Sequence, residues 1–124
     1  MSIRNALPFL LALVLFLAGA TSAAAAPASR VAGFVTTIHG AAQLDLTSCV
    51  HPDNDGGALF LAYIDNASAA HAPGFSVTLH NEHGELLAER IFPALQPGDS
   101  KTFAVRLSAA QARSITQSGS ALCS

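Results

Sequence analysis

The first 26 residues limit what this chain can fold into, because they have the three parts of a secretory signal peptide. Arg4 gives a basic start, and an almost wholly apolar run follows from Ala6 to Ala20. Thr21 to Ala26 then supplies the small residues that signal peptidase requires. The part of the chain that is left to fold is long enough for one domain and too short for two.

Pro27 fixes where cleavage is expected. A proline directly after the cut disfavours cleavage, which argues against a cut after Ala26. Cleavage after Ala24 or Ala25 remains, and we favour Ala25. An uncleaved anchor is the alternative, but the apolar run of about 15 residues contains Pro8, and a membrane span needs roughly 20. The sequence predicts a signal peptide over 1–25, a domain over 26–124, a periplasmic or secreted location, and no stable membrane anchor after cleavage.

The charge of the predicted mature domain argues against nucleic-acid binding. The whole chain has 6 Lys and Arg against 8 Asp and Glu, and Arg4 leaves with the signal peptide, so 5 basic and 8 acidic side chains give a net charge of −3. A nucleic-acid-binding domain usually has a basic patch and a high pI. We therefore expect no nucleic-acid partner.

The two cysteines, Cys49 and Cys123, both lie in the predicted mature domain. An even number of cysteines in an exported chain predicts a disulfide between them. A catalytic thiol and a metal ligand are the alternatives, but the chain has no Cys-x-x-Cys pair. In the chain-entropy model, a disulfide that closes a loop of this length stabilises the folded domain by about 4 kcal/mol.

Apolar residues alternate along the mature domain and turn residues separate them, which is the pattern of an all-β fold. We predict strands at residues 30–38, 41–46, 58–64, 75–80, 85–92 and 101–107. His39 and Gly40 have the spacing of a two-residue hairpin turn between the first two strands. Residues 58–64 are apolar on both alternations, which predicts a central strand covered on both faces. In 75–80 we expect the odd-numbered residues to be buried and the even-numbered ones to face solvent.

Local sequence also predicts the turns and the end of the chain. Residues 81–84 have the composition of a type I turn with Gly84 in the left-handed position, and residues 95–99 form a second tight turn. Ser108 is a suitable cap for a short helix that ends near Gly119. Residues 121–124 are a candidate for a last short strand, which would bring Cys123 back to Cys49.

These elements together predict an all-β domain, a single antiparallel β-sandwich of six to seven strands with a short C-terminal helix. The stretch from Phe60 to Leu107 resembles the immunoglobulin-like or fibronectin-III-like modules of exported bacterial proteins. The resemblance rests on a strand that ends in Asp65-Asn66, the Gly84 hairpin, and Leu95-x-Pro97-Gly98-x-Ser100 before an alternating strand. It implies an immunoglobulin-like fold and no active site. The chain departs from antibody domains because it has no tryptophan and no central disulfide between the sheets.

Histidines give the sharpest hypothesis about chemistry, because histidine is the commonest protein ligand of zinc and copper. The candidate metal ligands are His80, His83, His51 and His71. A bend after His80 would bring its ring and that of His83 to one rim. Polar residues decorating loops are the alternative interpretation, and the mature domain has no methionine of the kind that exported copper carriers use.

Other motifs are weaker. Asp53-Asn54-Asp55-Gly56 begins like an EF-hand loop but has Ile64 where the bidentate glutamate is needed, so we expect a solvated turn. Asn66-Ala67-Ser68 is a glycosylation sequon, which matters only in a glycosylating pathway. No serine lies in a Gly-x-Ser-x-Gly motif.

We therefore expect no enzyme and no cofactor. The leading hypothesis is a small exported non-catalytic binding or structural module that contacts a protein or glycan of the cell envelope. The alternative is a periplasmic copper- or zinc-binding protein that uses the surface histidines. A hydrolase would require a concave pocket with convergent polar groups.

Overall fold

The computed structural model describes residues 25–113, 115 and 121–123. Of the predicted signal peptide, residues 1–24 lie outside the described residues. The described residues form seven strands and one short helix. In chain order these are β1 (Ala28–Val31), β2 (Phe34–His39), β3 (Asp45–Pro52), β4 (Ala58–Asp65), β5 (Phe75–His80), β6 (Leu86–Phe92), β7 (Ser100–Leu107) and α1 (Ala109–Ala112). In this part of the chain no helix is long and apolar enough to cross a membrane.

The strands form two antiparallel sheets that enclose one core, which confirms the predicted all-β class. The four-stranded sheet has the order β1-β2-β5-β6 and the three-stranded sheet the order β3-β4-β7. Buried side chains from both sheets fill the space between them: Phe34, Ile38, Phe75, Val77, Leu79 and Phe92 from one, and Val50, Phe60, Ala62, Ile64, Phe103 and Leu107 from the other. Burying each large side chain contributes roughly 1.5–3 kcal/mol.

The predicted first hairpin is wrong. The chain turns at Ala32 and Gly33, which adopt φ values of 50° and 86°, and β1 pairs with β2 across this turn. After Gly40 the chain crosses to the other sheet, where β3 begins at Asp45, so no strand occupies residues 41–44. Ala41 is buried within this crossing, which explains why an apolar pattern there imitated a strand.

The prediction for the central strand is half right. β4 lies between β3 and β7, as expected. Its core face is fully buried, but Leu59 and Leu61 on the outer face are only half-buried and Tyr63 is 41% exposed. The described residues therefore cover the apolar side chains on the outer face of β4 only in part.

The β5–β6 hairpin confirms the turn prediction, with Gly84 at φ 82°. In β5, Phe75 and Val77 are buried as expected, whereas Thr78 was predicted to face solvent and is 7% exposed. Its hydroxyl is hydrogen-bonded to Nε2 of His39 at 3.0 Å, so the neighbouring strand covers it.

The C-terminal part of the chain returns to β3. Ser108 caps α1 as predicted, while the predicted helix end near Gly119 lies outside the described residues. Leu122 forms a parallel bridge with Val50, and the Cys123 amide donates to the Val50 carbonyl at 2.8 Å. The sulfurs of Cys49 and Cys123 are bonded at 2.02 Å, so the predicted disulfide is present.

Candidate functional site

A pocket opens at one end of the sandwich, where the turn between β5 and β6 meets α1. Its volume is about 390 Å³, within the range of small-ligand sites. It is lined by Phe34, Asn81, Glu82, His83, Leu87, Ala110, Gln111 and Arg113. Three separate segments of the chain thus contribute to one concave surface.

The side chain of Asn81 shapes the rim of this pocket. Its Oδ1 accepts hydrogen bonds from the backbone amides of His83 and Glu85, both at 2.9 Å, and its Nδ2 donates to Oε1 of Glu85 at 2.6 Å. This is the backbone-mimicking turn for which asparagine is favoured. The turn holds Glu82 and His83 at its tip, where both residues are exposed.

The apolar floor of the pocket consists of Phe34 and Leu87. Phe34 is 3% exposed, and its ring centroid lies 6.3 Å from that of Phe60 in the opposite sheet, which anchors it in the core. Leu87 is the extra residue of a β-bulge, because the pairing passes from Leu79 with Ala88 to His80 with Leu86. Bulges commonly redirect a side chain, and this one places Leu87 in the pocket.

Gly33 allows the β1–β2 turn to approach the rim. A Cβ atom at this position would lie 3.1 Å from Cβ of Glu82. The positive φ of Gly33 also disfavours any side chain there. The β1–β2 turn therefore packs closely against the Cβ atom of Glu82.

The opposite wall is the first turn of α1. Oγ of Ser108 accepts from the Gln111 amide at 3.2 Å, and Oε1 of Gln111 accepts from the Ser108 amide at 2.9 Å, which is a complete capping box. Ala112 is buried against the core and fixes the rotation of the helix. Ala110 and Arg113 then fall on the side that lines the pocket.

The pocket combines an apolar floor with a carboxylate, an imidazole and a guanidinium at its rim. Such a site can bury an apolar group and hydrogen-bond a polar one. Its described lining has no serine, threonine or cysteine side chain that would serve as a nucleophile.

The structure does not assemble the four candidate metal ligands. His80 ends β5, His83 lies in the turn that follows, and His51 is in β3 of the other sheet. His71 lies in the loop before β5, where its carbonyl accepts from Nε2 of Gln43 at 3.0 Å. Among the described residues, no group of three histidine, cysteine, aspartate or glutamate side chains could hold a metal ion. His83 lines the pocket, and His80 is not among the residues that line it.

The calcium-like loop and the sequon have structural roles. Asp53 pairs with Arg106, and Oδ1 of Asp55 accepts from the Gly57 amide at 3.0 Å. Asn66 is 1% exposed, and its Nδ2 donates to the carbonyls of Ala70 and Leu95, both at 2.9 Å. The side-chain amide that glycosylation would modify is therefore buried and in use.

Sequence reasoning found only His83 among the pocket residues. Asn81 and Glu82 belong to a turn that was predicted for its shape, and nothing local indicates that Phe34 and α1 meet them. Comparison with protein-family models, with curated proteins and with solved structures finds no match to this chain.

Proposed function

We propose that this protein is an exported, non-catalytic binding module whose ligand site is the pocket between the β5–β6 turn and α1. The observation that carries the proposal is the combination of the apolar floor, Phe34 and Leu87, with charged side chains at an open rim. An apolar cavity with a few convergent polar groups is the default binding site of a small domain.

The partner class that we propose is a protein or glycan of the cell envelope. A pocket of about 390 Å³ has room for one large side chain or one sugar ring of such a partner. Because the rim is formed by a hairpin turn and a helix on the surface, a macromolecule can insert one group while the rest of it stays outside. Loops at the end of a rigid sandwich are a common place for binding residues.

We further propose that the module is a rearranged immunoglobulin-like sandwich. In immunoglobulin domains strand A pairs with B, B with E, and C and C′ lie in the opposite sheet. In this equivalence β3, β4 and β7 correspond to strands A, B and E, and β5 and β6 correspond to C and C′. The order β3-β4-β7 and the β5–β6 hairpin in the other sheet support it. The places of strands F and G beside strand C are taken by β2 and β1, from the N-terminal end of the described chain.

Site-specific photocrosslinking tests the proposed site. A benzophenone amino acid replaces His83 in the exported protein, and we expect a discrete crosslinked product in intact cells. Adding Ala110→Trp, which fills the pocket, should abolish that product. Ala69→Trp, at an exposed loop position, is the matched control and should leave it unchanged. No product at position 83, or one that Ala110→Trp leaves intact, would contradict the proposal.

A further inference from the structure

The outer face of the three-stranded sheet carries an apolar column that the described fold leaves open. Leu59, Leu61 and Tyr63 alternate along β4 and point away from the core. Single exposed apolar residues are ordinary, whereas a contiguous set at the centre of a sheet marks an interaction surface. The sequence of β4 is that of a strand buried on both faces, whereas the described residues leave Leu59 and Leu61 half-buried and Tyr63 exposed.

The residues beside Leu61 and Tyr63 are small, so the middle of the face is flat enough for another sheet. Thr47 and Thr102 flank Tyr63, and Ala104 lies beside Leu61. Cys49, in its disulfide, flanks Leu61 on the other side. No long side chain from the neighbouring strands stands over the middle of the column, and sheets pack face to face at about 10 Å.

One end of the face carries two carboxylates, and the other carries an imidazole and a guanidinium. At one end Asp45 and Asp65 are opposite one another in the ladder of β3 and β4. At the other end the hydrogen-bond donors His51 and Arg106 flank Leu59. Arg106 pairs with Asp53 and its side chain is still 66% exposed, so its guanidinium has donors left for a further acceptor.

This charge pattern makes the face complementary to itself in one orientation. A two-fold axis that runs across the strands reverses the second copy, which brings the end with His51 and Arg106 over the end with Asp45 and Asp65. An axis along the strands would instead place Asp65 over Asp65. Closed two-fold contacts are the commonest form of self-association.

Pairing through the edge of the other sheet is disfavoured. β6 is an edge strand with Ile91 81% exposed, but it carries Glu89 and Arg90 at its centre. Antiparallel pairing of two β6 strands centred on Glu89 or on Arg90, at the middle of the strand, would place two like charges directly opposite, which destabilises a ladder. The apolar face of β4 is thus the better surface for a second copy.

We propose that the outer face of the β3-β4-β7 sheet binds a second copy of this chain, with the strands of the two faces antiparallel and Leu61 of each copy packed on Tyr63 of the other. Strand spacing and rise give each face a flat area of roughly 300 Å². Standard interfaces bury about 800 Å² per partner, so the dimer is weak and in exchange with the monomer. This inference is independent of the pocket.

Sedimentation velocity tests the proposal. The exported, processed protein is measured over a concentration series up to roughly millimolar, which is the range of weak complexes. We expect a concentration-dependent shift from monomer to dimer. Leu61→Glu should abolish the shift, and Tyr63→Lys, at a position already exposed, should do the same without stressing the fold. Ile91→Glu on the other sheet is the matched control and should dimerise like the native protein. A monomer at every concentration, or a dimer that the two β4 variants leave intact, would overturn the proposal.

A charge swap tests the orientation. Asp45→Lys should weaken the dimer by about fivefold to tenfold, because the arrangement repeats each contact twice and one exposed pair contributes up to about 1 kcal/mol. Adding His51→Glu to the same chain should restore the native dissociation constant, since the contact is then rebuilt with its charges exchanged. If the double variant is no tighter than Asp45→Lys alone, the antiparallel arrangement is wrong.

Discussion

At the scale of single residues, Thr36 and Asn66 show opposite ways of burying a polar group. Asn66 uses both ends of its amide: Nδ2 has two carbonyl acceptors and Oδ1 accepts from the hydroxyl of Ser68 at 2.6 Å. Thr36 is fully buried on the core face of β2, and its Oγ1 has no hydrogen-bond partner among the described residues. One group therefore stabilises a loop, while the other costs free energy.

Replacing Thr36 by valine, which has the same shape, should raise the free energy of unfolding by about 1 kcal/mol, because it removes the desolvation penalty of an unpaired hydroxyl. Urea denaturation followed by circular dichroism measures this. Thr37→Val, on the outer face of the same strand, is the control and should change stability by less than about 0.5 kcal/mol. A Thr36→Val variant less stable than the native protein would mean that the hydroxyl has a partner.

Asn66→Ala should lower the free energy of unfolding by about 3 kcal/mol, since it leaves the buried carbonyl of Leu95 and the groups of the β4–β5 loop without their partner. Asn54→Ala, at an exposed position between β3 and β4, should have little effect. The same urea titration compares the two variants, and equal stabilities would contradict the assigned role of Asn66.

At the scale of elements, prediction succeeded where local chemistry decides the structure. Gly84, Gly98 and Ser108 each satisfy a backbone requirement within a few residues, and β5, β6, β7 and the start of α1 lie within one residue of their predicted positions. The first hairpin failed because its true turn uses Ala32 at positive φ, a conformation that alanine does not favour. Gly40 looked like a hairpin turn, but it serves a crossing between sheets.

The capping box of α1 gives the prediction that belongs to this scale. Ser108→Ala should lower the free energy of unfolding by about 1 kcal/mol, because the Gln111 amide loses its acceptor. Hydrogen exchange at the Gln111 amide should become faster than in the native protein. Ser76→Ala, near the start of β5, is the control and should leave that rate unchanged. An unaltered exchange rate in Ser108→Ala would show that packing of Ala112 alone holds the helix.

At the scale of the whole molecule, the pocket was beyond sequence reasoning because Phe34, residues 81–87 and residues 110–113 meet only through the order of strands in the two sheets. The same topology places His51 in the other sheet from His80. We expect isothermal titration of the protein with copper(II) and with zinc to show no affinity tighter than about micromolar, because a site with fewer than three protein ligands lacks the usual coordination. Tighter binding that His83→Ala removes would revive the metal-carrier hypothesis, and His39→Ala provides the matched control.

The disulfide acts on the whole molecule because Cys49 and Cys123 are 74 positions apart and the segment between them includes β4 to β7 and α1, and therefore strands of both sheets. Reduction should lower the free energy of unfolding by about 4 kcal/mol, since the unfolded chain regains the freedom of a very long loop. The amide at position 123 should also lose its protection from hydrogen exchange, because the disulfide no longer holds it against the Val50 carbonyl to which it donates. Denaturation with and without dithiothreitol measures the first effect, and the double variant Cys49→Ala, Cys123→Ala, which the reductant cannot alter, is the control. If reduction shifts stability by less than about 1 kcal/mol, packing against β3 rather than loop entropy holds the C-terminal segment in place.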